Sequence, residues 1–293
     1  MSEPLRVLSL GAGVQSTTVL LRSLAGELPR LDAAIFADTG WEPAGVYDHL
    51  LRLEAEAARA GLPVLRVSAG NIRNDALDPG HRFASMPLHV ANQTGSAGML
   101  RRQCTKEYKI GPIHKALVRL RREAGNPRVE QWFGISCDEP QRMRSPSVLY
   151  LTNAYPLCGL RVRLQALSGG GRRQRLEAVE DWQPMSRTGC LAWLAAHGWS
   201  APRSACIGCP LHSDSEWRRM RAEDPAAWEN AVAFDAAIRS GHPAGDARGR
   251  PLRGQAFLHR ARVPLAQVEF AEDTGQGSLL DGWAGECEGM CGV

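Results

Sequence analysis

The sequence predicts an α/β protein: a doubly wound, mostly parallel sheet followed by a helical C-terminal extension. Two observations predict it. Strand-like and helix-like segments alternate from the N-terminus to about residue 150, the rhythm of βαβ units. The first strand also runs straight into a helix through a glycine-bearing turn, Ser9-Leu-Gly-Ala-Gly-Val-Gln-Ser16. The 293 residues are 44% hydrophobic and 23% charged, an ordinary globular composition that suits one large domain or a domain with an extension.

Val7 and Leu8 open the first strand, and Thr17 to Leu21 continue into the first helix. Between them, Gly11 and Gly13 allow a sharp turn and a close approach of backbone to an anion. The amide protons of the helix start and the helix dipole then favour negative charge. A phosphate cradle is therefore expected at Ser9, Gly11, Gly13, Gln15 and Ser16; an ordinary strand–helix turn is the plain alternative. Asp32 to Ala37 predicts the second strand, ending at Asp38-Thr39-Gly40. Pro43 to Ala60 predicts a helix with proline in its first turn and Gly61 at its stop. Pro63 to Ser68 predicts a third strand. Pro112 to Ala124 carries Ile113, Ala116, Leu117 and Leu120 on one face, the helical period. Val129 to Ser136 and Val148 to Thr152 predict further strands. Ligands of such sheets sit beyond the carboxyl ends of the strands, which singles out the glycine turn, Asp38-Thr39 and Gly134-Ile135-Ser136.

Leu160 to Glu177 interrupts this rhythm with Gly169-Gly170-Gly171 and five arginines. A mobile surface insertion is expected, with an arm that grips a phosphate backbone as the sharper alternative. Helices are expected at Thr188–His197, at Ser213–Ala222 with Ser213 and Glu216 as a capping pair, and at Pro225–Ser240. The chain thus divides into a nucleotide-binding α/β unit, 1–215, with a basic insertion at about 160–177, and a mostly helical extension, 216–293, that carries a cysteine-containing tail.

No apolar run approaches the roughly 18 residues of a membrane span. With no apolar signal core near the N-terminus, a cytoplasmic chain is expected. Net charge is +4, and arginine supplies nearly all of the basic residues beside three lysines; this weakly suggests a nucleic-acid partner. Eight cysteines in a chain of this kind point to metal or redox chemistry rather than to a disulfide scaffold. Cys206-Ile-Gly-Cys209-Pro suits zinc, a cluster corner or a redox dithiol. Cys104 precedes a helix, and Cys190 falls in the first turn of the helix that Thr188 would cap, where the dipole favours a thiolate.

The order of these motifs is specific. A Gly-Val-Gln-Ser loop is followed by Phe36-Ala-Asp-Thr-Gly40, by Cys104-Thr-Lys-Glu-Tyr-Lys-Ile-Gly-Pro-Ile113, by Gly134-Ile-Ser136 and by Cys206-x-x-Cys209-Pro210. This resembles the phosphoadenosine phosphosulfate (PAPS) reductase family of the PP-loop adenine nucleotide α-hydrolases, across roughly residues 5 to 215. The resemblance implies an adenine nucleotide, ATP or another, at Ser9, Gly11, Gly13, Gln15, Ser16, Asp38, Thr39, Gly134 and Ile135, with Mg²⁺ as an option beside Asp38. It implies contacts to phosphate or sulfate from Lys109, Arg142 and Arg144. It implies a [4Fe–4S] cluster on Cys104, Cys190, Cys206 and Cys209, with zinc as an alternative. Thr105 stands where the family's iron–sulfur branch has a second cysteine, and Cys190 is the candidate to replace it. Gln15 stands where most PP-loops have an aspartate. In the tail, Cys287 and Cys291 are the candidate catalytic thiols; Glu286-Cys287 resembles the family's Glu-Cys-Gly tail, although acidic neighbours raise a thiol pKa.

Three activities follow. In the first, ATP adenylates an acceptor and sulfur displaces AMP. In the second, a tail thiol reduces PAPS or adenosine phosphosulfate to sulfite. In the third, the chain senses redox state without turnover. The partners are correspondingly a sulfur donor or a thiol reductant, and a nucleic acid is among the acceptors the first activity allows.

Overall fold

A computed structural model describes residues 3–92, 97–125, 127–246 and 248–271. The elements run in chain order as β1 (Leu5–Leu10), α1 (Val14–Leu24), β2 (Ala33–Asp38), α2 (Ala44–Arg59), β3 (Val64–Ser68) and the single turn α3 (Ile72–Asp75). Two short strands follow, β4 (His89–Ala91) and β5 (Ala97–Met99), then a π-helical turn, Lys106–Ile110, that feeds α4 (Gly111–Glu123). Next come β6 (Val129–Phe133), β7 (Leu151–Tyr155), β8 (Leu160–Ala166), β9 (Arg172–Ala178), α5 (Arg187–Ala196), α6 (Asp214–Glu223), α7 (Pro225–Ala237) and β10 (Gln255–Phe257).

The main sheet has seven strands in the order β3-β2-β1-β6-β7-β8-β9. The first five are parallel; β8 and β9 are antiparallel additions. Alternate residues of β1 and β2 face opposite ways, and two cores result. Leu8, Leu10 and Phe36 pack beneath α1, α2 and α5 with Val19, Leu50 and Leu194. Val7, Ile35 and Ala37 pack beneath α4 with Ile113 and Leu117. Strands buried on both faces read as near-continuous apolar runs for this reason. The fold is therefore mixed α/β with a mostly parallel central sheet covered on both faces, as the alternation predicts.

The chain winds outward from β1 to β2 and β3, then returns to β6 on the other side of β1. That reversal opens a crevice beyond the carboxyl ends of β1 and β6, the usual ligand position in open α/β sheets.

Several boundaries differ from the sequence expectation. Residues 160–177, expected as a surface insertion, form the β8–β9 hairpin that extends the main sheet. Arg161 pairs with Glu130 at 2.7 Å, while Arg163 and Arg175 share Glu177. Exposed charged strands give little periodicity, so the sequence hides them. Helix α5 is capped by Ser186, whose hydroxyl accepts the Gly189 N–H at 3.1 Å, not by Thr188. Ser213 does cap α6 by accepting the Glu216 N–H, but the Glu216 side chain turns instead to Arg203 and Arg219.

Helices α6 and α7 do not stand apart from the residues before them. Trp217, Met220 and Phe234 share one core with Trp41, Ile72, Met86 and Tyr108. The buried Asp235 carboxylate accepts the Leu258 and Leu265 N–H groups and also holds Arg239, which ties the last described segment to α7. Strand β10 pairs with β4 in a separate three-stranded sheet. Among the described residues no helix is long and apolar enough to cross a membrane.

Candidate functional site

Two sites stand at the carboxyl edge of the main sheet. The first surrounds the glycine turn. Ala12 adopts φ +56°, and Gly13 starts α1 with no side-chain cap. The first amide protons of α1 therefore have no capping side chain, an arrangement suited to an anion. The turn is braced from within: the Gly11 N–H donates to Ser16 Oγ at 3.2 Å, and Ser16 Oγ donates to the Gly13 carbonyl. Gly134, just after β6, faces the start of α1 directly. A Cβ there would lie 2.4 Å from the Ser16 nitrogen and 2.7 Å from its Cα. Only glycine lets the end of β6 approach the helix this closely, and this is the structural reason for the residue.

Gln15 is fully buried. Its amide donates to Glu139 Oε2 at 3.0 Å and to Ser136 Oγ at 3.4 Å. Glu139 in turn receives Arg142 Nη1 at 2.6 Å. A glutamine here can donate to a carboxylate, which an aspartate could not do. Its own carbonyl oxygen, Oε1, is buried without a hydrogen-bond partner among the described residues. Below the turn, Thr17 Oγ1 lies 2.9 Å from His49 Nε2, and burial pushes that imidazole down to a pKa of about 4.

The remaining residues expected at the nucleotide divide. Ser9 Oγ accepts from Gln131 on β6 at 2.8 Å. Ile135 packs with Phe133, Tyr155 and Val162, and its carbonyl accepts the Cys158 thiol at 3.2 Å. Burial raises that thiol to about 12. Asp38 Oδ1 accepts from the Gly40 N–H and from the Tyr47 hydroxyl, both at 2.8 Å. Arg144 is pinned through its backbone to the Tyr155 hydroxyl, and its guanidinium folds back onto the carbonyls of Gln141 and Met143.

The second site is a small cavity, about 20 Å³, among Thr39, Arg102, Cys104, Lys109, Cys206 and Cys209. Five separated segments line it, at Thr39, Ile72, Met86–Pro87, Arg102–Lys109 and Cys206–Pro210. Thr39 follows β2. The π-helical turn places Lys109 and Tyr108 inward, and the Tyr108 hydroxyl anchors that turn to Asp75 at 2.7 Å. The Cys206–Cys209 loop rests on Trp41: a Cβ on Gly208 would lie 2.0 Å from Trp41 Cη2, and the Ile207 N–H donates to the Trp41 carbonyl. His212 closes the loop with Nε2 at 3.0 Å from the Cys206 carbonyl, and burial lowers its pKa to about 4.

Glu42, a residue the sequence reading missed, lies against three residues of this lining. Its side chain is 1% exposed, and Oε1 meets Lys109 Nζ at 3.4 Å, the Thr39 hydroxyl at 3.1 Å and the Cys206 thiol at 3.5 Å. Oε2 is buried with no hydrogen-bond partner among the described residues. In sequence Glu42 is indistinguishable from an ordinary acid near a helix start, so no local signal separates it.

Cys190 does not join the other three cysteines. It is wholly buried on α5 with Leu194, against α1 and Trp132. Of the expected four, three line one cavity. Among the described residues no group of three or more His, Cys, Asp or Glu side chains is arranged to hold a metal ion. The cavity has the room of one ion or water, so a cluster there requires the Cys104 segment and the Cys206–Cys209 loop to move apart. Lys109 belongs to this cavity, whereas Arg142 belongs to the glycine turn. Cys287 and Cys291 lie outside the described residues. No protein-family model matches the chain, and no curated protein matches it by sequence.

Proposed function

We propose that the chain is a PP-loop enzyme of the PAPS reductase type that binds ATP at the glycine turn and transfers sulfur through Cys104, Cys206 and Cys209. One observation carries this reading. Three thiols and a lysine share a cavity beyond β2, the neighbour of the strand that ends in the glycine turn. The uncapped start of α1 would receive phosphate oxygens, and Arg142 would swing from Glu139 to the departing pyrophosphate. An acceptor oxygen attacks the α-phosphorus, pyrophosphate leaves, and a sulfur nucleophile then displaces AMP. Glu42 Oε1 already receives the Cys206 thiol hydrogen and would take that proton when Cys206 becomes a thiolate ligand, with Lys109 offsetting the charge. Cys104, Cys206 and Cys209 would hold an iron–sulfur cluster as its thiolate ligands, and that group would supply sulfide for this redox-neutral displacement.

Incubation with ATP should release pyrophosphate and AMP once a sulfur acceptor is present. Sulfite from an adenylyl sulfate, with no pyrophosphate from ATP, would replace this reading with the reductase. Protein purified without oxygen should be brown and contain iron and sulfide. Cys206→Ala should remove the colour and Cys190→Ala should keep it. Loss of iron on substituting Cys190 instead would show that the fourth thiol reaches the site after all.

A further inference from the structure

The β8–β9 hairpin takes no part in either site. Residues 160–178 hold five arginines and one acid, Glu177, an excess of four positive charges that equals the formal net charge of the whole chain. The rest of the chain is therefore balanced, and the surplus sits on one ribbon. Between Val162 and Leu176 there are four arginines and no acid. The next acids, Glu180 and Asp181, follow the root of the ribbon and not its tip.

The pairing register sorts these charges by face. Arg161 lies opposite Glu177, Arg163 opposite Arg175, and Gln165 opposite Arg173. Alternate residues of a strand share a face, so four of the five arginines stand on one side. Arg172 stands on the other, where its guanidinium donates to the Ser147 carbonyl at 3.3 Å. The basic face is graded from root to tip. At the root, Arg161 is engaged by Glu130 at 2.7 Å and stacks over the Trp182 ring. Midway, Arg163 and Arg175 share one oxygen of Glu177, at 2.7 and 3.0 Å, and one carboxylate offsets one of those two charges. Nearest the tip, Arg173 is exposed and has no acidic partner among the described residues. Like charges placed directly opposite destabilise a ribbon. A free edge is protected by charge of either sign, so edge protection does not call for the opposed pair Arg163 and Arg175.

The shape of the ribbon is as informative as its charge. Strand β9 is the last of the sheet and pairs only with β8, and every residue from Arg172 to Leu176 is exposed. Each strand has seven residues, about 23 Å at the rise of an antiparallel strand. The tip, Leu167-Ser-Gly-Gly-Gly171, is closed by the Leu167 N–H on the Gly171 carbonyl at 2.9 Å, and its glycines carry no side chain to hold it off a surface. The major groove of B-DNA, about 12 Å wide, admits a two-stranded ribbon of this kind. The deep, narrow groove of A-form RNA does not.

We propose that the β8–β9 ribbon is a docking arm for duplex DNA, held through phosphate oxygens by Arg163, Arg173 and Arg175. Phosphates neutralise the charge that Glu177 leaves unmatched and relieve the repulsion between the two opposed guanidiniums. Contacts of this kind fix position and carry no sequence information, so binding is indifferent to base sequence. Docking requires neither ATP nor the cysteines, and so goes beyond the sulfur-transfer reading without resting on it.

Fluorescence anisotropy of a labelled DNA duplex of mixed sequence, titrated with the full chain in the absence of ATP, should show saturable binding. Three phosphate contacts should make log K fall against log salt with a slope of about −3. Arg173→Ala should weaken binding severalfold and make the slope shallower by about 1. Arg173→Glu should weaken it at least tenfold. Arg173 is exposed, so both variants should melt with the wild type. Arg119→Ala removes an equally exposed charge from α4 and should leave the affinity unchanged. Absence of binding at low salt, a slope near zero, equal weakening by Arg119→Ala, or tighter binding of an RNA duplex of the same sequence would overturn the assignment. So would a dimer that forms without DNA and dissociates on Arg173→Glu, since a second copy would then occupy the ribbon. Failure of ATP to yield pyrophosphate would count against the sulfur-transfer reading alone.

Discussion

The glycine turn and the cysteine cavity are built from the same parts and finished differently. Each has a buried glutamate, a cation against it and a buried neutral histidine. At the glycine turn, Glu139 is paired with Arg142 at 2.6 Å and also accepts from Gln15. At the cysteine cavity, Glu42 meets Lys109 at 3.4 Å and leaves Oε2 without a partner among the described residues. A fully bonded pair holds a shape, whereas an incompletely bonded one is poised to take a proton or a ligand. The first end is organised to position, the second to react.

The sharpest way to break this comparison is to exchange each glutamate for glutamine. Glu42→Gln removes the buried charge opposite Lys109 and should cost about 4 kcal/mol in urea denaturation, the usual scale for breaking a buried ion pair. Glu139→Gln should cost less, because Arg142 can turn to solvent. An equal cost at both positions would erase the distinction. The glycines come next. Gly134→Ala and Gly208→Ala should each destabilise by about 3 kcal/mol through overpacking. Gly134→Ala should abolish ATP binding and spare iron content, and Gly208→Ala should do the reverse. Loss of both properties in either variant would mean that the two ends fold as one unit.

The smallest effect is on pH dependence. His49 and His212 are held neutral by burial, each with a folded pKa of about 4 against an unfolded value of 6.5. Between these values the unfolded chain binds more protons. Stability should therefore be fully present above pH 6.5 and decline as pH falls towards 4. The loss is roughly 2 kcal/mol per histidine between about pH 7 and pH 5. His49→Gln should flatten the part of the slope owed to the glycine turn, and His212→Gln the part owed to the cysteine loop. A slope unchanged in both variants would assign the acid sensitivity to other groups.

Much of the fold was legible because its elements are buried and regular. Strands β1, β2, β3 and β6 and helices α2 and α4 follow apolar patterns that face a core on one or both sides. Strand β7 began three residues later than expected, because Tyr150 and Leu149 are apolar without being in the strand. The β8–β9 hairpin and the small β10-β4-β5 sheet were not legible. Their residues are largely exposed or form runs of three, too short for periodicity to register. Three of the four proposed metal cysteines line one cavity, and the fourth lies in a different core.

By itself the sequence determined whatever depends on neighbours in the chain: the parallel strand–helix alternation, the glycine turn with its uncapped helix, and the Cys-x-x-Cys loop. Each is a local matter of backbone freedom and side-chain period. Only the tertiary structure decided which distant groups meet. It brought Glu42 to Lys109 and Cys206, set Cys190 in a different core, and laid the cysteine loop on Trp41. These pairings depend on how layers pack across long sequence separations, and no residue type or spacing encodes that one position at a time.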